Sequence, residues 1–245
     1  MYVSVLSHYL VQEPILTALL IAHFLSDFTF QSQQLANAKR MNFLALVLHL
    51  TVVGIPLSIL AFLLPINNGD LFFQVWLSHL AIDYCKYFLS KHGWIKEKWD
   101  GNTFVIDQLL HIFCIIILYQ TIEVNSSAYS FWSEPNSLLL QLLFIILIAK
   151  PVNIVFKLFF NKYQVTEEEE LTVTGAGALI GQLERLIMGI FLLMGQFTAI
   201  GLVFTAKSIA RYDKISKSQA FAEYYLIGSL FSIISVLLAY ILLVI

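Results

Sequence analysis

Apolar runs long enough to cross a bilayer alternate with short polar connections along almost the whole chain. About 20 predominantly apolar residues suffice for a spanning helix, and within hydrocarbon a helix satisfies its own backbone. On that pattern the first helix starts at Pro14, a residue suited to a first turn, and runs to about Phe30 after an interfacial lead-in over residues 1–11. The second covers about Asn42–Leu64 and bends at Pro56, the third about Leu71–Leu89, and the fourth about Thr103–Ile122. A fifth begins near Ser137, is interrupted at Lys150-Pro151 and continues to Phe160. The sixth spans about Leu183–Thr205 and the last about Phe221–Val244. The pattern predicts an all-α, polytopic transmembrane helical bundle of about seven spans, with a four-helix unit over residues 1–122 and three further helices over 123–245.

Polar residues interrupt the early helices at helical spacing. His23, Asp27 and Gln31 stand at i, i+4 and i+8, which places them along one face of a helix. His79 with Asp83, and Asp107 with His111, repeat the spacing. Ionisable groups in hydrocarbon are costly, so such faces point to function or to pairing between helices. A single pair reads equally well as interhelical glue, but three pairs within one four-helix unit favour a shared polar site. His49 is a lone histidine on an apolar helix and the weakest member. His8 and His92 fall in the lead-in and a loop, where they are expected to be solvated.

Composition supports the membrane reading. Mean hydropathy is +0.80, and 12% of residues are charged, against about 25% in soluble domains. Net charge is −2 with no basic patch, so nucleic acid is not an expected partner. Cys85 and Cys114 lie in apolar helical stretches and read as packing residues. The N-terminus lacks a basic n-region, so a removed signal peptide is not expected. Lysine and arginine populate the first and third loops but not the second and fourth, which sets the N-terminus outside the cell inner membrane. Continued alternation would put the basic connection Lys207–Lys217 outside, against the same rule, unless one late segment fails to span.

Other features carry less. The run Glu167–Glu170 reads as a solvated loop, and Asn125-Ser126-Ser127 is a glycosylation sequon that matters only in a eukaryotic source. Gly177 and Gly181 fit a small-residue packing face better than a phosphate loop. Glu184 and Arg185 read as a membrane boundary, and Lys86 and Gln31 as neighbours of the polar site.

Imidazole and carboxylate are the donors that zinc and other divalent cations accept. His23, Asp27, His49, His79, Asp83, Asp107 and His111 therefore form a candidate ligand set on four helices, with zinc the first choice of metal. An ion would offset carboxylates that are otherwise costly to bury. Asp27, Asp83 or Asp107 could act as general base where it is not a ligand. The leading expectation is metal-dependent hydrolysis of a lipid-linked or amphiphilic substrate. The rivals are a transporter or proton relay through the same residues, and a non-catalytic subunit whose pairs are glue. The bilayer is the expected partner, with a homo-oligomer left open.

The stretches AHFLSDFTFQ (22–31), SHLAIDYCK (78–86), DQLLH (107–111), GQLERL (181–186), GQFTAIGLVFTAKSIAR (195–211) and FAEYYLIGSL (221–230) resemble a family of uncharacterised bacterial multi-span membrane proteins, a domain of unknown function. The resemblance implies membrane location and little chemistry. SHLAID (78–83) is similar, more weakly, to an element of membrane-bound metal-dependent hydrolases. Their early histidine-rich stretch with adjacent threonine and serine has no counterpart here.

Overall fold

The computed structural model describes residues 4–63, 69–96, 99–122, 136–164 and 175–245, and the regular structure in them is entirely helical. The sequon, the Glu167–Glu170 run, Lys98 and the turn at Asn67-Asn68 lie outside the described residues. The chain divides into two compact units, one formed by Leu10–Leu139 and one by Met1–Tyr9 with Leu140–Ile245.

The Leu10–Leu139 unit begins with the last residues of helix α1 (Val5–Gln12), which gives way at Glu13 to α2 (Pro14–Phe24), with proline in the first turn. A π-helical turn (Leu25–Phe30) continues α2 and ends at Gln31 in extended backbone. The short α3 (Gln33–Ala38) is capped by Ser32, whose hydroxyl accepts from the Leu35 amide. Asn42 caps α4 (Phe43–Leu63) in the same way, its Oδ1 accepting from the Leu44 and Ala45 amides. Such caps satisfy amides that a helix start leaves without partners. Helices α5 (Gly69–Lys91) and α6 (Asp100–Thr121) complete the unit. α4 packs on α5 and α5 on α6, while α2 lies against both α4 and α6. Four helices thus surround one interior.

The second unit contains α7 (Asn136–Ile148), α8 (Lys150–Phe160), a 3₁₀ turn (Asn161–Tyr163), α9 (Ala176–Leu193), α10 (Ala199–Ala210), α11 (Tyr212–Lys217) and α12 (Gln219–Leu243). Three sequence expectations change here. The sixth predicted helix is two helices, because the chain turns at Gly195 (φ 72°) and α10 folds back along α9. An ion pair between Lys207 and Glu184 at 2.7 Å closes that hairpin. Gly177 packs against nothing, whereas Gly189 receives Ile148 and Phe144 of α7 at close range and Gly181 leaves room for Arg185.

Arg185 is 3% exposed and pairs with other helices. The helix break before Pro151, which the sequence does predict, leaves main-chain carbonyls without helical donors. Arg185 fills that role, donating from Nε to the Ile148 carbonyl at 2.6 Å and from Nη2 to the Ala149 carbonyl at 3.0 Å and to Asn153 Oδ1.

Among the described residues five helices are long and apolar enough to cross a membrane, or six if the bent pair Val5–Gln12 and Pro14–Phe30 counts as one. The expected number of about seven is not reached. α5 has 23 residues, but Asp70, His79, Asp83, Lys86 and Lys91 lower its hydropathy and keep it outside that set.

Candidate metal centre

Four side chains from three segments meet inside the Leu10–Leu139 unit: Asp27 from the π turn, His49 from α4, and His79 and Asp83 from α5. The two Nε2 atoms of His49 and His79 lie 3.2 Å apart. His49 Nε2 is 3.0 Å from Asp83 Oδ2 and 3.5 Å from Asp27 Oδ1. His79 Nε2 is 3.4 Å from Asp27 Oδ1 and 3.5 Å from Asp83 Oδ2. A tetrahedral ion with bonds of about 2.0–2.1 Å has ligand–ligand edges of about 3.3–3.4 Å. Five of a tetrahedron's six edges, all but Asp27–Asp83, are 3.0 to 3.5 Å and bracket that value, and mutual spacing is complete for the trio His49, His79 and Asp83.

Hydrogen bonding alone accounts for the cluster less well. Two imidazoles facing each other nitrogen to nitrogen share a hydrogen bond only when their tautomers are opposite, one Nε2–H donating to the other ring's lone pair, and that leaves a single hydrogen among four mutually close acceptor atoms. All four residues are buried, His49 completely.

The π turn explains how Asp27 arrives there. A π turn widens the helix by one residue, and such turns are frequent at functional sites. It also breaks the simple i, i+4, i+8 expectation. His23 and Asp27 stay together, but Gln31 leaves the helix and donates to the Asp27 carbonyl at 3.2 Å.

The remaining candidates form a second layer. Gln108 Nε2 donates to Asp27 Oδ2 at 3.1 Å, and its Oε1 lies 3.2 Å from His23 Nε2. Because the amide nitrogen belongs on the carboxylate, the oxygen faces His23, and His23 Nε2 is the donor. His111 Nδ1 donates to the Asp107 carbonyl at 2.7 Å. His79 and His111 rings stand 4.1 Å apart by centroid, and His23 stacks on His111 at 5.2 Å. Asp107 does not join the four-atom cluster; it pairs with Lys86 at 2.8 Å. Two overlapping groups satisfy ligand spacing, His49 with His79 and Asp83, and His23 with Asp27 and His79.

Sequence reasoning passed over two participants, Lys39 and Gln108, and ranked a third, His49, lowest. Lys39, 7% exposed, reaches both Asp83 oxygens at 3.0 and 3.3 Å. Burial opposes its charge, but Asp83, then Asp27 and Asp107, outweigh this and hold the ammonium above the usual lysine range. Nothing in its position before α4 signalled this. Gln108, expected to point about 100° away from Asp107, is the bridge between Asp27 and His23, because a long side chain covers that angle. His49, the weakest member by sequence, sits at the centre.

Charge is not balanced by these groups alone. Asp27, Asp83 and Asp107 face two ammonium groups, Lys39 and Lys86, leaving one surplus negative charge. A protonated imidazole or a bound cation must offset it.

The model of the family described as "Protein of unknown function (DUF3307)" matches residues 15–140, just over half of the chain. The chain belongs to this family. All seven candidate ligands lie within the matched span, whereas the stretches from Gly181 onward lie beyond it. No curated protein matches the chain, and no solved structure matches it. The likeness to metal-dependent hydrolases therefore gains no support from known proteins.

Proposed function

We propose that this protein is a membrane-embedded, divalent-metal-dependent hydrolase with His49, His79 and Asp83 as fixed ligands and Asp27 at the fourth corner. The observation that carries the proposal is the set of five ligand–ligand edges between 3.0 and 3.5 Å. Two imidazoles and two carboxylates suit zinc or a neighbouring transition metal better than magnesium or calcium, which prefer oxygen alone. Catalytic zinc keeps one position for water. Asp27, on the adaptable π turn, is the corner assigned to exchange with water and then accept its proton. The ion would bring the pKa of that water toward about 7 and polarise the scissile group. Asp107, held by Lys86, orients the second layer.

A divalent ion turns the surplus negative charge into a surplus positive one, which favours a hydroxide or an anionic substrate group at the open position. Location within apolar helices favours a lipid-linked or amphiphilic substrate. We read α5 as a further span, its polar side chains facing inward, which gives seven with the bent pair. The N-terminus is then outside the inner membrane, and the α9–α10 hairpin returns the basic Lys207–Lys217 segment to the inside, removing its conflict with the charge rule.

A transporter reading is weaker, because Lys39, Arg40, Lys86 and Asp100 extend from one end, whereas Glu13 at the other end pairs with Tyr119. Toward the other end the side chains next to the histidines are apolar, among them Leu57 and Ile115. Elemental analysis of the purified protein tests the proposal. About one divalent ion per chain is expected in the wild type and none in the His79→Ala, Asp83→Ala double variant. Near-zero metal in both overturns it.

A further inference from the structure

Beside the four-atom cluster, on the side away from Lys39, lies a small open pocket with room for about one water-sized group. Its polar wall consists of His23, His79, His111, Ser26 and Ser78, and the rest is apolar, including Val53, Leu57 and Ile115. Every hydrogen that His23, His111 and the two serines carry for bonding is committed elsewhere. Ser26 donates to the Ala22 carbonyl and Ser78 to the Val75 carbonyl, both at 2.8 Å. His23 spends its N–H on Gln108 and His111 spends its N–H on the Asp107 carbonyl.

What remains on His23 and His111 is acceptors. Their Nδ1 and Nε2 atoms, respectively, are buried and meet no donor among the described residues. In neutral rings with the tautomers fixed above, both nitrogens carry lone pairs. A buried acceptor without a donor costs about 1–3 kcal/mol, so such a pair calls for a ligand that supplies hydrogens. Both rings are at least nine-tenths buried, His23 at 4% exposure and His111 at 2%.

We propose that this pocket binds an O–H donor, water or the hydroxyl end of an apolar alcohol, with His111 Nε2 and His23 Nδ1 as its acceptors. An ammonium donor fits poorly, because the pocket wall holds no carboxylate. In the hydrolase reading, on which this role rests, the pocket holds the attacking oxygen next to the ligand His79. Water there gives hydrolysis, and an alcohol gives transfer of the scissile group to that alcohol.

The test does not need a metal. The full chain, labelled with ¹⁵N-histidine in detergent micelles, is titrated with 1-hexanol and, separately, with n-hexane. His111 is recognised by loss of its signals in His111→Phe; should that variant not fold, the Nδ1–H tautomer it shares with His92 is assigned to it by loss of the His92 signals in His92→Phe. Exposed His92 serves as the unmoved control. Saturable upfield movement of the His111 Nε2 and His23 Nδ1 signals with hexanol, and not with hexane, assigns the site to an alcohol. Signals already at hydrogen-bonded positions, and unmoved by hexanol, assign it to water. The proposal is overturned if both nitrogens stay at free-acceptor positions throughout, respond equally to hexane, or carry protons. Metal content, measured on the same preparation, reports separately on the hydrolase reading.

Discussion

Replacing Lys39 by methionine leaves the Asp83 carboxylate buried without its ammonium. The pair is one of the least exposed in the molecule, with side-chain exposures of 9% and 1% and both Asp83 oxygens contacted. An exposed ion pair contributes about 0–1 kcal/mol. Removing one partner of a buried pair costs about 3–5 kcal/mol, because the other charge is stranded. Burial places Lys39 in the second class. At about 2–4 °C per kcal/mol for a chain of this size, K39M lowers the melting temperature by about 6–20 °C. D83N strands the lysine instead and costs a similar amount. The double variant K39M/D83N removes both charges and is more stable than the sum of the single losses predicts by at least about 2 kcal/mol. The assay is thermal unfolding in detergent followed by tryptophan fluorescence, with chelator present so that no ion bridges the cluster. A K39M loss below about 1 kcal/mol, or strictly additive losses, refutes the buried-pair reasoning.

Further outcomes follow from the second unit. R185M removes the guanidinium that satisfies two main-chain carbonyls and Asn153, and at about 1.5–3 kcal/mol per charged hydrogen bond it destabilises by about 4.5–9 kcal/mol, read as a fall in melting temperature with metal content unchanged. G189A brings a Cβ to 2.5 Å from Ile148 Cδ1; the cost is about 1–3 kcal/mol, checked by the same assay. A cysteine at Lys214, in protein lacking Cys85 and Cys114, is expected to react with an impermeant thiol reagent only after cells are opened. Labelling of intact cells there contradicts the hairpin topology.

The early helices were legible because apolar runs and polar punctuation agree: Pro14, Asn42 and the polar loop before Thr103 stand within a few residues of observed ends. The α9–α10 turn was not, because around Met194-Gly195 only Gln196 and Thr198 break an otherwise apolar run, and the helix ends at a positive φ that hydropathy does not show. In the site, histidine–carboxylate spacing marked six of the seven candidate ligands, but spacing reports a shared face and not which faces converge. Asp107 follows the same rule as Asp83 and yet pairs with Lys86. His49 has no partner on its own helix, so only packing of α4 against α5 reveals it. Lys39 was hidden because a lysine beside a helix end ordinarily reads as a solvated anchor.

X-ray absorption at the zinc edge, on the wild-type protein loaded with one equivalent of zinc, tests the centre most directly. The account predicts four nitrogen or oxygen neighbours at about 2.0–2.1 Å, with the outer-shell scattering of two imidazoles falling to that of one in His49→Ala. A shell without imidazole, or a spectrum identical in wild type and His49→Ala, contradicts it.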